Sequence, residues 1–168
     1  MLADDIFSQS RVLSQWLADK ALPLWREAGV DAAGGFVETI DMAGEPTRAN
    51  RRARVQPRQV YCFAEAGRRG WSGDWRGAAG RSNDLRSRIE AHVKHPVAGF
   101  EEDNPPRLPL CSNPHMHLFE ACLASEIVDG FDQVAWANLA DEIADLAMDH
   151  FIDAETGVLR EFFDHDWA

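Results

Sequence analysis

The sequence predicts an all-α fold, a two-layer α/α toroid, and three patterns carry that reading. Residues 58–67 and 113–128 are apolar in nearly every direction around a helix axis, the mark of a helix buried on all sides. Residues 6–22 and 132–151 instead pair an apolar face with a charged one. The order along the chain is therefore wet, dry, weak, dry, wet. A two-layer toroid needs this alternation, because its inner ring is covered by the outer ring on one side and faces a crowded centre on the other. A plain helix bundle is the alternative, and it gives every helix one wet face.

The first helix is expected over residues 6–22, capped by Asp4 or Asp5 and ended or kinked by Pro23. Ile6, Leu13, Trp16, Leu17 and Ala21 share its apolar face, opposite Arg11, Gln15 and Asp19. Residues 36–41 (FVETID) read as a short strand and 41–45 as a turn. The second helix begins near Arg58 and stops at Gly67 or Gly70. A weaker helix over 74–94 repeats Leu85, Ile89 and Val93, with a break near 80–84 at its glycines and Ser82-Asn83. Residues 95–110, with four prolines, read as a long loop. The third strong helix takes Ser112 or Asn113 as cap and Pro114 in its first turn, and runs to Val128. The fourth carries a sharp apolar face of Trp136, Leu139, Ile143, Leu146 and Ala147. A turn at 153–157 and a short strand at 158–164 follow. These short β-hairpin-like segments lie in the loops of one domain spanning residues 1–168.

A net charge of −11 argues against nucleic acid and an anionic membrane surface as partners. The basic run at 48–58 (RANRRARVQPR) reads as a solvated loop or as a site for an anionic or hydroxyl-rich ligand. Three cysteines without CxxC spacing indicate neither a disulfide framework nor a zinc knuckle. The N-terminal residues lack a secretory pattern and no apolar run approaches a membrane span, so the cytoplasm is the expected location. Six tryptophans suit either helix packing or a sugar-stacking site.

The chemistry concentrates in NPHMHLFEA, residues 113–121. On a helix, positions two apart point in nearly opposite directions, so His115 and His117 cannot share one metal ion. A metal site is the weakest reading. His117, Glu120, Ala121 and Ala124 share a face, where the alanines leave room. That face reads as a satisfied core His–Glu pair or as the wall of a polar pocket. His115 is expected on the opposite side, exposed or at the helix start. At least one of Arg52, Arg54 and Arg58 is expected at the pocket mouth, Arg58 foremost, offering a fixed fork of donors. Glu101-Glu102-Asp103 reads as a solvated acidic loop.

Three stretches, RVQPRQVYCFAEAGRRGW (54–71), HPVAGFEEDNPPRLPLCSNPHMHLFEACLA (95–124) and FIDAETGVLREFFDHDW (151–167), resemble the N-acylglucosamine 2-epimerase family. The resemblance implies an (α/α)6 barrel. It implies sugar epimerisation or aldose–ketose isomerisation through an enediol or enediolate, with no metal or nucleotide cofactor and a small sugar or sugar phosphate as partner. By that resemblance Arg58 and Glu120 contact substrate, and His117 is the catalytic-site histidine. The family's later GHxxE motif and a further histidine, which supply its acid/base pair, are not in these residues. The stretch at 80–85 also lacks a helical segment that the family carries there. The expectation is therefore a shortened, incomplete barrel with weak or no activity alone, self-associating through uncovered apolar helices. A non-catalytic carbohydrate-binding or regulatory remnant is the alternative.

Overall fold

The computed structural model describes residues 2–30, 35–80, 87, 93–103 and 105–168, with side chains from residue 5 onward. Its main elements are helices: α1 (Leu2–Trp16), α2 (Leu22–Glu27), α3 (Val55–Arg68), α4 (Trp75–Gly80), α5 (Asn113–Glu126) and α6 (Gln133–Leu146). Two short strands, β1 (Leu110–Cys111) and β2 (Phe162–Phe163), pair antiparallel, with Leu110 opposite Phe163.

Pro23 does not end the first helix. The chain widens over Leu17–Ala21, where the Leu22 N–H reaches back to the Leu17 carbonyl, and α2 then takes Pro23 into its first turn. A proline there needs no N–H partner, while the widening relieves its clash with the preceding turn. Because α1 starts at Leu2, Asp4 and Asp5 lie inside it and do not cap it. The face expected to be dry is open: Ile6, Leu13, Trp16 and Leu17 are all exposed.

The strand expected at 36–41 is reduced to isolated bridges, Val30 with Phe36 and Ile40 with Pro46. The reason is local. The Phe36 N–H donates to Gln56 Oε1 and its carbonyl accepts from Gln56 Nε2, each at 2.7 Å, so α3 satisfies this backbone in place of a neighbouring strand. The turn at 41–45 forms as expected, with the Asp41 carboxylate accepting from the Ala43 and Glu45 amides at 2.8 and 2.9 Å. Likewise, only Phe162 and Phe163 of the strand expected at 158–164 join a ladder, beside a bridge between Ile152 and Leu159.

Helix α3 begins one turn earlier than the sequence suggests, because Pro57 is tolerated in a first turn. It stops at the expected glycine. Gly70 adopts φ +86°, and the Trp71 and Gly70 amides bond back to the Ala66 and Gly67 carbonyls at 2.9 and 3.0 Å. Of the weak helix, α4 is described; the break near 80–84, the shortened stretch at 80–85, Leu85 and Ile89 lie outside the described residues. Pro114 lies in the first turn of α5 as expected, but the Ser112 side chain does not cap it; its Oγ contacts Glu161 Oε2 at 3.4 Å. Asp132 does cap α6, accepting from the Ala135 amide at 3.1 Å.

Helix α3 packs against α4 and α5, and α5 packs against α6. Their common core joins Val60 and Phe63 to Leu118, Ala121 and Cys122, and these to Trp136, Leu139 and Ile143. Phe36 and Phe100 enter it from the loops. A second cluster of Leu110, Leu146, Phe151, Phe163 and Trp167 anchors the two strands. Helices α3 and α5 pack together, with α4 against α3 and α6 against α5, and this positions the site. The helices expected to be buried on all sides are not: Tyr61 and Cys62 of α3, with Met116 and Leu123 of α5 and Ile127 just beyond it, are exposed. Among the described residues no helix is long and apolar enough to cross a membrane.

Gly70→Ala forces a side chain into the left-handed region with open space around it, so the cost is conformational alone. The expected loss is about 1 kcal/mol of unfolding free energy, read from urea denaturation with an unchanged slope.

Candidate functional site

The open side of α3 and α5 presents two adjacent stripes. Arg58, Tyr61, Cys62 and Glu65 lie along α3, and Met116, His117, Glu120 and Leu123 along α5. His117 Nδ1 lies 3.0 Å from Glu120 Oε2, the meeting expected of residues three apart on a helix. The His117 side chain is 20 % exposed and that of Glu120 53 %, so the pair is within reach of a ligand. With the proton on Nδ1, the imidazole donates to the carboxylate and keeps a free lone pair on Nε2, which makes it a base. Ala121, expected beside this pair, is instead fully buried in the core; Ala124 stays on the open side.

Arg58 is exposed and lies one turn before Cys62 on α3. The Cys62 residue is exposed, yet its thiol is desolvated enough to push its pKa up; Arg58 pulls it down and Glu120 raises it. Cys62 therefore marks where the fields of Arg58 and Glu120 meet, so the structure brings the three sequence-predicted residues to one side of two packed helices. Beside them is a hollow of about 460 Å³ lined by Tyr61, Glu65, Arg68, Trp75, Glu120 and Leu123, among others. Glu120 stands at its edge, while Arg58 and His117 do not line it. Hydrogen bonds from Arg68 and Arg69 hold Glu65 ionised, with its pKa lowered to about 2.

His115 lies in the first turn of α5 and on the side away from His117, both as expected, but it is buried there, 1 % accessible, and not exposed. There its ring meets Phe151 and Trp167 edge-on, with centroids 5.2 Å away in each case. Nε2 accepts from the Phe100 amide at 2.8 Å, and Nδ1 is 3.1 Å from the Cys111 carbonyl. Gly99, at φ +68°, allows this approach, since a Cβ there would lie 2.5 Å from His115 Nε2.

The acidic run is not a solvated loop either. Glu101 is buried and the Glu102 side chain is 14 % exposed. Burial pushes the Glu102 carboxyl up, Arg54 pulls it down, and Asp103 raises it again. Arg54 Nη1 donates to Asn113 Oδ1 at 2.9 Å, and its Nε lies 3.1 Å from Glu102 Oε1. The Ala53 amide also bonds to the Glu102 carbonyl at 2.7 Å. Residues 99–103 are thus a strap from α5, through His115, to the start of α3, through Arg54. Sequence reasoning missed Arg54, Asn113 and His115 as positioning groups. The one available signal was polar side chains at the starts of two otherwise apolar helices. Arg52 serves a local tie, its Nε donating to Glu38 Oε1 at 2.6 Å. Among the described residues, no three His, Cys, Asp or Glu side chains are placed to share a metal ion.

The family model described as N-acylglucosamine 2-epimerase matches residues 34–85 and 77–168. A mannose-6-phosphate isomerase of Rhizobium meliloti is 56 % identical over 225 residues, a match covering 98 % of this chain and 58 % of that protein. Among solved structures, a D-mannose isomerase superposes with a TM-score of 0.74 at 16 % identity, covering 93 % of this chain and 41 % of its own. The cellobiose 2-epimerase of Bacillus thermoamylovorans gives 0.76 at 20 % identity, covering 98 % and 45 %. These structural likenesses show a shared helical fold. The chain spans 58 % of the rhizobial relative's length and less than half of each of these solved chains.

The strap makes the fold sensitive to acid. Burial lowers the His115 pKa from its ordinary 6.5 to about 4, opposed by the bond to the Cys111 carbonyl and aided by His95. The native state therefore binds fewer protons than the unfolded chain between these values. Stability from this group is full above about pH 6.5 and falls by about 3 kcal/mol as the pH drops to about 4. His115→Gln retains an acceptor for the Phe100 amide but does not titrate. Its urea-denaturation free energy is expected to lose that part of the pH slope, after a cost of about 1–2 kcal/mol at neutral pH.

Proposed function

The chain belongs to the N-acylglucosamine 2-epimerase family, and we propose that residues 1–168 form the substrate-holding side of a carbohydrate epimerase or isomerase site. The observation that carries this reading is the presentation of Arg58 and the His117–Glu120 pair by adjacent helices on one open face. Arg58 supplies a planar fork of donors for the oxygens beside the reacting carbons of an open-chain sugar. His117, oriented by Glu120, holds or moves a proton at Nε2. Loss of a proton next to the carbonyl gives an enediolate, whose negative charge a nearby guanidinium stabilises. Return of the proton then yields an epimer or the aldose–ketose isomer. The substrate class is a small sugar or sugar phosphate, the choice to which the rhizobial relative's description points.

The toroid in this proposal is incomplete. The match to the rhizobial relative is 225 residues long, more than the 168 residues of this chain, so part of that stretch has no counterpart here. The two pieces matched by the family model meet at 77–85, in support of a shortened stretch there. The acid/base histidines implied by the family resemblance fall outside residues 1–168. A polypeptide of these residues alone thus binds the sugar and transfers its proton poorly.

The test is NMR of purified residues 1–168 with mannose, mannose 6-phosphate, glucose, N-acetylglucosamine and cellobiose in heavy water. The expected result is ligand-observed binding of at least one sugar, with no epimer or isomer above the protein-free control. Arg58→Ala weakens that binding by about tenfold or more, since a charge-assisted bond is worth about 1.5–3 kcal/mol. Turnover at about 1 per second or faster overturns the incomplete site, and absence of binding to every sugar overturns the substrate-holding role.

A further inference from the structure

The basic run at 48–58 brings less charge to the open face than its composition suggests. Arg52 turns back to Glu38, its Nε donating to Oε1 at 2.6 Å, and Arg54 Nε lies 3.1 Å from Glu102 Oε1. Both carboxylates are largely buried, with side chains 6 % and 14 % exposed. Glu102 is the less comfortable of the two. Burial pushes its carboxyl up. Among the described residues neither of its oxygens has a hydrogen-bond partner, so Arg54 offers it charge without an aligned bond. A carboxylate kept beside a binding face at a cost to stability calls for a role in function.

The placement of Arg54 supplies that role. It holds the N-cap position of α3 with helical backbone angles, four residues before Arg58, so the two side chains leave one face a turn apart. Asn113, which accepts from Arg54 Nη1 at 2.9 Å, opens α5 four residues before His117. Arg54 therefore spans the end of the groove whose walls carry Arg58 and His117. Without Glu102 this end would present a second arginine, and two guanidinium forks a turn apart suit a phosphate dianion. With Glu102, the Nε edge of Arg54 faces the strap and Nη1 faces Asn113. The other charged groups around Glu102 are Asp103, which adds negative charge, and Arg52 and Glu38, which offset each other.

We propose that Glu102 sets the charge this groove accepts: by holding Arg54 it lowers the affinity for a phosphorylated sugar relative to the unphosphorylated one. The inference rests on the sugar-site reading above and assigns a specificity-determining residue within it. The effect lies in the ratio of the two affinities, because an uncharged sugar gains little from a second cation. One unit charge at about 7 Å from a dianion, at an effective dielectric constant of about 70, changes binding about tenfold.

NMR titration of purified residues 1–168 with mannose and with mannose 6-phosphate tests it, at about pH 8, where the phosphate is a dianion. Glu102→Gln keeps the shape of the side chain and removes its charge. The expected result is mannose 6-phosphate binding about tenfold tighter relative to mannose, a gain lost in about 0.5 M salt, with near-UV circular dichroism unchanged. Adding Arg54→Gln to Glu102→Gln abolishes the gain. Asp141→Asn, the same change of charge on the exposed side of α6, moves the ratio less than about twofold. A ratio unmoved by Glu102→Gln overturns the proposal, as does a gain that survives Arg54→Gln. The unsubstituted chain gives a reading that needs no variant: its affinity for mannose 6-phosphate changes less than about threefold between about 20 and 500 mM salt. A tightening of about tenfold or more at low salt marks an arginine pair open to the phosphate and overturns the proposal. Absence of binding to either sugar overturns the sugar-site reading itself, whereas mannose binding with an unmoved ratio overturns this inference alone.

Discussion

His115 has to be neutral and in one tautomer, because its Nδ1 faces the Cys111 carbonyl while its Nε2 accepts from the Phe100 amide. A second proton on the ring would remove the acceptor from a buried amide and place a charge among Phe100, Phe151 and Trp167. The geometry of the open face follows from this bond. It fixes the strap at 99–103 against α5, and the strap's other end, through Glu102 and Arg54, fixes the start of α3. Arg54 then returns to α5 through Asn113, which closes a loop of polar contacts around the helix ends. Arg58 and His117 lie roughly one turn further along each helix, so these ties set their separation.

The same helix separates structure from chemistry by angle. Its packed side carries His115, Leu118, Ala121, Cys122 and Ser125, all buried. Its open side carries Met116, Glu120 and Leu123, with His117 at the edge. One imidazole is thereby stripped of solvent and held neutral, while another, two residues away, keeps a carboxylate partner and access to solvent. Burial is what distinguishes the two roles, since the side chains are identical.

Apolar side chains on the open face, and the stripe on α1, make this surface larger than a compact chain of this mass needs. The relatives are longer: the chain spans 58 % of the rhizobial relative and 45 % of the Bacillus thermoamylovorans chain. Arg58 and the His117–Glu120 pair lie on that open face, within reach of solvent.

The sequence by itself determined that helices lie around 6–22, 58–67, 113–128 and 132–151, with the stop at Gly70, the entry of Pro114 and the buried stripe of α6, because each follows from local periodicity or one residue's backbone preference. It also determined that His115 and His117 point apart, since that is a property of the helix. Which of the two faces the core was decided by tertiary structure, through contacts with Phe100, Phe151 and Trp167 that are distant along the chain. The burial of Glu101 and Glu102 was decided the same way, because a run of carboxylates has no local signature of the arginine that will meet it. The strand expected at 36–41 shrank to bridges for a similar reason: Gln56, twenty residues away, took the backbone bonds of Phe36. Local pattern states which faces are apolar, but only the packed chain decides which of them are covered, because covering depends on what else is present to bury them.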